Sequence, residues 1–198
     1  FFVMQSLSPT RSAEPQQTPE PFLASGQFVI GANYWASHAG TYMWRDWDAE
    51  VVKDDFRRLS DGGLTVLRIF PLWSDFQPIQ CFRRENSTPV EYRHGETPLA
   101  NGPVGQSGVS ALMLKRFERL CDLAEQSGLR LVVGLITGWM SGRLFAPPGR
   151  EGLNQLADPR YITGQVRMEA SLARQMRNHH AVIAWDPGNV ENCRNTAA

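Results

Sequence analysis

Very little in this sequence points to a charged or redox-active partner. Its 198 residues carry twenty Lys and Arg against twenty Asp and Glu, so no net field is present to attract nucleic acid or an anionic membrane surface. Cysteine is scarce: Cys81, Cys121 and Cys193 are odd in number and form no C-x-x-C pair, which argues against a disulfide framework and a cysteine zinc site. No apolar run approaches the roughly 20 residues that cross a bilayer. No strand-like run is followed by G-x-G-x-x-G or G-x-x-x-x-G-K-[ST], so neither a dinucleotide nor a P-loop phosphate site is signalled. What remains is a small-molecule or uncharged polymer partner, with no cofactor and no metal expected.

What is present begins with an arm. The stretch SLSPTRSAEPQQTPEP has four prolines and almost nothing to bury, so residues 1–21 read as a disordered arm or linker and residues 22–198 as the folded domain. The chain opens on Phe1-Phe2-Val3-Met4, which reads as a processed chain or a piece of something longer. Asn86-Ser87-Thr88 matches the glycosylation sequon, a pattern with meaning only in a secretory pathway.

Beyond the arm, short β-like runs alternate with helical patterns. FVIGANYW (28–35) precedes a helix over 48–60, with Asp48 as N-cap, Val52, Phe56 and Leu59 on one face, and Gly62-Gly63 as the stop. LTVLRIF (64–70) is a second strand. A long loop over 71–108, rich in Pro, Gly and charge, has the size of a functional excursion. The helix over 109–127 places Leu114, Phe117, Cys121 and Ala124 on one stripe and closes at Gly128. LRLVVGLI (129–136) is a third strand. A second long loop then leads to Asp158-Pro159, an N-cap followed by proline at the first helical position. The helix there runs to about 178, and AVIAWD (181–186) is the fourth strand. Four strand-then-helix units imply a parallel α/β sheet covered on both faces, either doubly wound or part of an eight-stranded barrel. In both, ligands bind at the carboxyl ends of the strands.

Those ends carry tryptophan: Asn33-Tyr34-Trp35, Pro71-Leu72-Trp73 and Thr137-Gly138-Trp139 each follow a strand, and the fourth reads Trp185-Asp186-Pro187-Gly188-Asn189. Indole stacks on the C–H face of a pyranose while Asn, Asp and His bond its hydroxyls. Trp35, Asn33, His38, Trp73 and Trp139 are therefore candidate saccharide contacts. The alternative for each indole is to fill the core beneath the loops. Arg68 lies inside LTVLRIF, on one face with Val66 and Phe70, and a charge there must be paired. It either holds an active-site carboxylate or forms a structural ion pair with Asp186 or Asp75. The acidic pattern Asp46, Asp48, Glu50, Asp54, Asp55 reads as the start and solvated face of the first helix. His179 and His180 suit a helix end and need no metal.

With these residues in view, the chain resembles the clan A glycoside hydrolases, (β/α)8 barrels, and among them the family 5 cellulase and mannanase group. The matching stretches are FVIGANYW, LTVLRIF with its arginine, and HHAVIAWDPGN, in that order. The resemblance implies a TIM-type barrel of which about four βα units, a half barrel, are present. It also implies a cofactor-free retaining mechanism on β-linked glucan or mannan with two glutamates whose carboxyls stand roughly 5 Å apart. Asn189 matches the asparagine that bonds the sugar 2-hydroxyl, and Arg68 the arginine that holds the nucleophile. The acid/base glutamate falls in register at Val190, with Glu191 next to it as the candidate that serves where the backbone bulges. The nucleophile of the family ends a seventh strand, outside these four units. A half barrel leaves two open edges, beside 28–30 and 182–185, which a second copy or a further polypeptide segment would complete. A reading of another class is a non-catalytic carbohydrate-binding module that kept the aromatic cleft and lost the acids.

Overall fold

A computed structural model describes residues 28–77, 80–83, 85, 89–94, 97–98, 107–137, 139–140, 143–147, 154 and 157–188. The arm assigned to residues 1–21 lies outside them. The elements in chain order are β1 (Gly31–Asn33), α1 (Ala49–Asp61), β2 (Val66–Ile69), α2 (Trp73–Phe76), β3 (Gln80–Arg83), β4 (Pro89–His94), β5 (Thr97–Pro98), α3 (Ala111–Gln126), β6 (Arg130–Gly134), β7 (Trp139–Met140), β8 (Arg143–Leu144), α4 (Pro159–Met176) and β9 (Val182–Asp186). The two stretches that read as loops contain structure of their own: β3, β4 and β5 form an antiparallel sheet, and β7 pairs with β8.

Local chemistry accounts for the helix boundaries. The Asp48 carboxylate accepts from the amides of Glu50 at 2.9 Å and Val51 at 3.1 Å. Ser110 caps α3, and Asp158 with Pro159 opens α4. Each satisfies donors that the first turn of a helix leaves unpaired. The chain turns out of α1 at Gly62 and out of α3 after Ser127, into the left-handed Gly63 and Gly128.

The main sheet has the order β1-β2-β6-β9, all parallel. A doubly wound sheet reverses its strand order at a switch point, whereas here each new strand is added to the same side, which is barrel winding. The fold is thus a half barrel of the TIM type. Alternate strand residues explain the layers. Leu67, Ile69, Leu131 and Val133 are fully buried with Val52 and Phe56 of α1 and Phe117, Leu120 and Cys121 of α3. The expectation of a sheet covered on both faces is corrected here: Asn33 and Ala184 are exposed, and Arg68 and Val132 only half-buried. Among the described residues α1 and α3 pack on the face of Leu67, Ile69, Leu131 and Val133, as expected of a barrel, whose concave face is filled by side chains of its own strands rather than by helices.

Tyr34, of the opposite parity to Asn33, points into the helical layer. Its hydroxyl donates to Asp55 of α1 at 3.1 Å and its ring meets Phe56 edge-on at 4.8 Å. Asp55 also accepts from the Ser37 amide at 2.9 Å, so it is a clamp between β1 and α1 rather than part of a solvated acidic face. Burial first, and then the Asp55 charge, push the Tyr34 phenol well above its ordinary value. The unfolded chain ionises this tyrosine near 10.0 while the folded chain keeps its proton. The associated stability is complete below that pH and declines as pH rises above it. Melting temperatures from about pH 8 to about pH 11 will therefore fall more steeply for the natural chain than for Tyr34→Phe. Parallel curves would mean that Tyr34 titrates normally.

Candidate functional site

The carboxyl ends of the four parallel strands converge on one concave surface, and register decides which side chains reach it. Partnered residues of parallel strands face the same way. One row across the sheet is Asn33, Arg68, Val132 and Ala184. Nearer the carboxyl ends, Gly134 is paired with Asp186.

Asp186 reaches this face because of an irregularity. β9 pairs Val182 with Leu131 and then Ala184 with Val132, so Ile183 has no partner and bulges out. Without the bulge, alternation would turn Asp186 toward the helices and Trp185 into the concavity. With it, Asp186 forms an ion pair with Nη2 of Arg68 across the strand that separates them. The strand between is β6, and the residue it presents there is Gly134, whose missing side chain leaves room for the Phe70 ring. A Cβ on Gly134 would stand 3.0 Å from the Phe70 ring.

Of the two roles open to Arg68, the structure shows the pair with Asp186. Asp75, the other carboxylate considered, is buried and accepts from Nε of Arg45 at 2.6 Å. The Arg68 guanidinium rests over the Phe70 ring at 4.8 Å, and the Trp35 indole stacks on the same ring at 5.2 Å with 17° between planes. A cation over an aromatic face is stabilised by the ring quadrupole. Arg68, Phe70 and Trp35 thus form one stack. Two buried polar atoms have no hydrogen-bond partner among the described residues, Nε of Arg68 and Oγ1 of Thr137. Buried donors in folded proteins are nearly always paired, so each leaves a place for a water or for a group outside the described set.

Asn33 and Trp35 line a cavity of about 290 Å3 beside β1, together with Tyr34 and Leu59. It shares Ser37, Asp55 and Arg58 with a neighbouring hollow of about 450 Å3 that includes His38. His38 is exposed, and its Nε2 lies 2.8 Å from the carbonyl oxygen of Asp46. Asn33, Trp35, His38 and Arg68 thus share the strand-end side of β1 and β2. Trp73 does not join them. It is fully buried, its indole N–H donates to Gln77 at 2.7 Å, and its ring meets Tyr161 of α4 at 5.0 Å. The sugar-contact expectation for Trp73 is corrected: this indole fills the core under the loop. Trp139 begins β7, with its side chain outside the described residues, and Asn189, Val190 and Glu191 lie outside them entirely.

Sequence reading missed Phe70 as the common platform of Arg68 and Trp35, although its parity with Arg68 was a usable sign. It also passed over Trp44, a buried indole whose N–H donates to the Phe70 carbonyl at 2.7 Å and so steadies the platform from below. Among the described residues, no group of three or more His, Cys, Asp or Glu is placed to hold a metal ion, and no helix is long and apolar enough to cross a membrane.

No protein-family model matches this chain, and no curated protein sequence matches it either. Solved structures do. An exo-β-1,4-mannosidase from Opitutaceae bacterium strain TAV5 is 27% identical, with a TM-score of 0.64, over 82% of this chain and 25% of that one. A GH5_18 protein from Streptomyces cattleya, solved in complex with Manβ1-4GlcNAc, is 23% identical with a TM-score of 0.63, over 81% of this chain and 33% of that one. A GH5_18 protein from Bifidobacterium longum subsp. infantis is 21% identical with a TM-score of 0.64 over the same shares. The chain spans a quarter to a third of the length of these structures. It resembles the amino-terminal part of family 5 glycoside hydrolases and has their barrel winding.

Proposed function

We propose that this chain supplies the amino-terminal half of the saccharide site of a retaining β-glycoside hydrolase, acting in a longer polypeptide on β-linked mannan- or glucan-type substrates. The observation that carries this reading is the Arg68 stack: a half-buried guanidinium held by Asp186 over Phe70, on which Trp35 also stacks, at the carboxyl ends of the strands. A planar cation with five N–H donors, only some of which one carboxylate can use, suits a second carboxylate. The retaining mechanism needs such a carboxylate as nucleophile, roughly 5 Å from the acid.

In this reading Trp35 stacks on a sugar ring, Asn33 and His38 bond hydroxyls, and Trp139 adds a second indole from its loop. Asn189 bonds the 2-hydroxyl and Glu191 protonates the leaving oxygen. The nucleophile comes from a strand beyond these four, and the open edges of β1 and β9 receive the further βα units that close the barrel. The similarity at 27% identity to a structure named as an exo-β-1,4-mannosidase favours mannose as the first sugar to try.

Val190, at the position where the family's acid belongs, favours a second reading, a sugar-binding module without catalysis. Titration of the 198-residue chain with β-1,4-mannobiose, followed by tryptophan fluorescence, tests what both share. Saturable quenching is expected, with affinity reduced at least about tenfold in Asn33→Ala; no quenching of this chain at millimolar sugar would refute the binding module, and none of the full-length protein would refute both. Hydrolysis of the same sugar by the full-length protein, lost on Glu191→Gln, separates them in favour of the enzyme.

A further inference from the structure

We propose that Asp186 is a positioning residue of this saccharide site, coupling the aim of Arg68 to the exit of strand β9; the proposal rests on the reading above. Three observations converge on it. First, the carboxylate is divided: one oxygen holds Nη2 of Arg68, and the other accepts from the Gly188 amide at 3.2 Å. Second, the Asp186 carbonyl accepts from the Leu135 amide at 2.9 Å. Strand β6 thus fixes the backbone from which the carboxylate projects. Third, the Ile183 bulge is needed to turn Asp186 to the face of Arg68, and Gly134, its partner on β6, has no side chain there and so lets the Phe70 ring under Arg68 pack close.

An ion pair serving stability alone needs none of this. It could be replaced by packed apolar groups at little loss, because desolvating two charges offsets much of their attraction. Here the pair engages Nη2 of Arg68, and Nε has no partner among the described residues. Asp186 therefore fixes the guanidinium plane while taking only part of its five-donor fork. Bonding Gly188 with its other oxygen, it makes the direction of Arg68 and the path of the backbone after β9 depend on a single side chain. It touches neither substrate nor reacting atoms in this account.

The test uses the 198-residue chain labelled with 15N. In the natural chain the Arg68 Nη hydrogens are expected to show separate signals, because the ion pair slows rotation about Cζ–Nη. A single averaged signal would overturn the proposal without any mutation. In Asp186→Asn the Arg68 Nε and Gly188 amide signals are both expected to move, and Asp186→Glu to restore the Arg68 signal in part. A change confined to one of the two sites would refute the coupling.

Titration with β-1,4-mannobiose supplies the functional arm. Asp186→Asn and Arg68→Lys should each weaken binding on the order of tenfold, and the double variant no more than either alone, since coupled residues are not additive. Losses that multiply would assign Asp186 a merely structural role. If the natural chain binds no sugar while the two resonances still move together, the saccharide reading of this chain alone fails and the coupling stands.

Discussion

Gly188→Ala will lower the melting temperature of the chain by about 10 °C, and weaken sugar binding further than that loss of stability explains. The backbone of Gly188 has φ +147°, and an added Cβ would lie 2.3 Å from the carbonyl oxygen of Ile136. Two costs add. The conformation itself is strained for any residue with a side chain, by about 1–3 kcal/mol. The overlap is with backbone, which cannot swing aside as a side chain could, and forcing it apart costs a similar amount again, about 1–3 kcal/mol. The chain has one route of relief, to pull the exit of β9 away from the end of β6. That movement breaks the bond from the Gly188 amide to Asp186, and with it the support of Arg68.

The control is Gly40→Ala, at φ +53° with nothing within 4 Å of the new Cβ. Only the left-handed conformation is penalised there, by about 1 kcal/mol. Thermal melts and mannobiose titrations of both variants check the argument. Equal losses at Gly40 and Gly188 would show that close approach to Ile136 contributes nothing.

Periodicity made the framework legible. The apolar stripe of α3, the Asp-Pro start of α4 and the Gly stops were readable because each is local chemistry acting over a few residues. Arg68 was legible as a buried charge needing a partner, and alternation placed it beside Phe70. The partner could not be chosen, because choosing required the Ile183 bulge, a one-residue slip set by packing against β6 rather than by any turn residue in the sequence. The Asp186 face follows from that slip alone. The small antiparallel sheet of β3, β4 and β5 was unreadable for another reason: its strands are short and rich in charge and proline, so their pairing follows from tertiary context. The tryptophans show a third limit. Trp35 and Trp73 stand at equivalent places after their strands, yet one lies on the concave face and the other beneath α4. The backbone after β2 turns at once into α2, which rolls Trp73 inward.

That difference yields opposite results for two similar substitutions. Trp73→Ala removes a fully buried indole, a change that costs about 4 kcal/mol. It also deprives Gln77, itself fully buried, of the indole donor that its side-chain oxygen accepts. The unpaired acceptor adds about 1–2 kcal/mol. Gln77 also donates to the Ser107 carbonyl at 2.9 Å, so the loss reaches the start of α3. A fall of about 15 °C in melting temperature is expected, with mannobiose affinity at low temperature within about twofold of the natural chain. Trp35→Ala removes a half-buried indole stacked on Phe70. Its structural cost is about 1–2 kcal/mol, from partial burial and one aromatic pair. Its binding cost is larger, at least about tenfold in affinity, because the ring offered to the sugar is gone. Trp73→Phe refines the comparison: the ring contact with Tyr161 is largely kept while Gln77 stays unpaired, so about half the lost stability should return. A Trp73→Ala chain that melted normally but bound sugar as weakly as Trp35→Ala would place Trp73 in the cleft after all. The opposite pattern supports Trp35, on its Phe70 platform, as an indole that meets the substrate in the proposed reading.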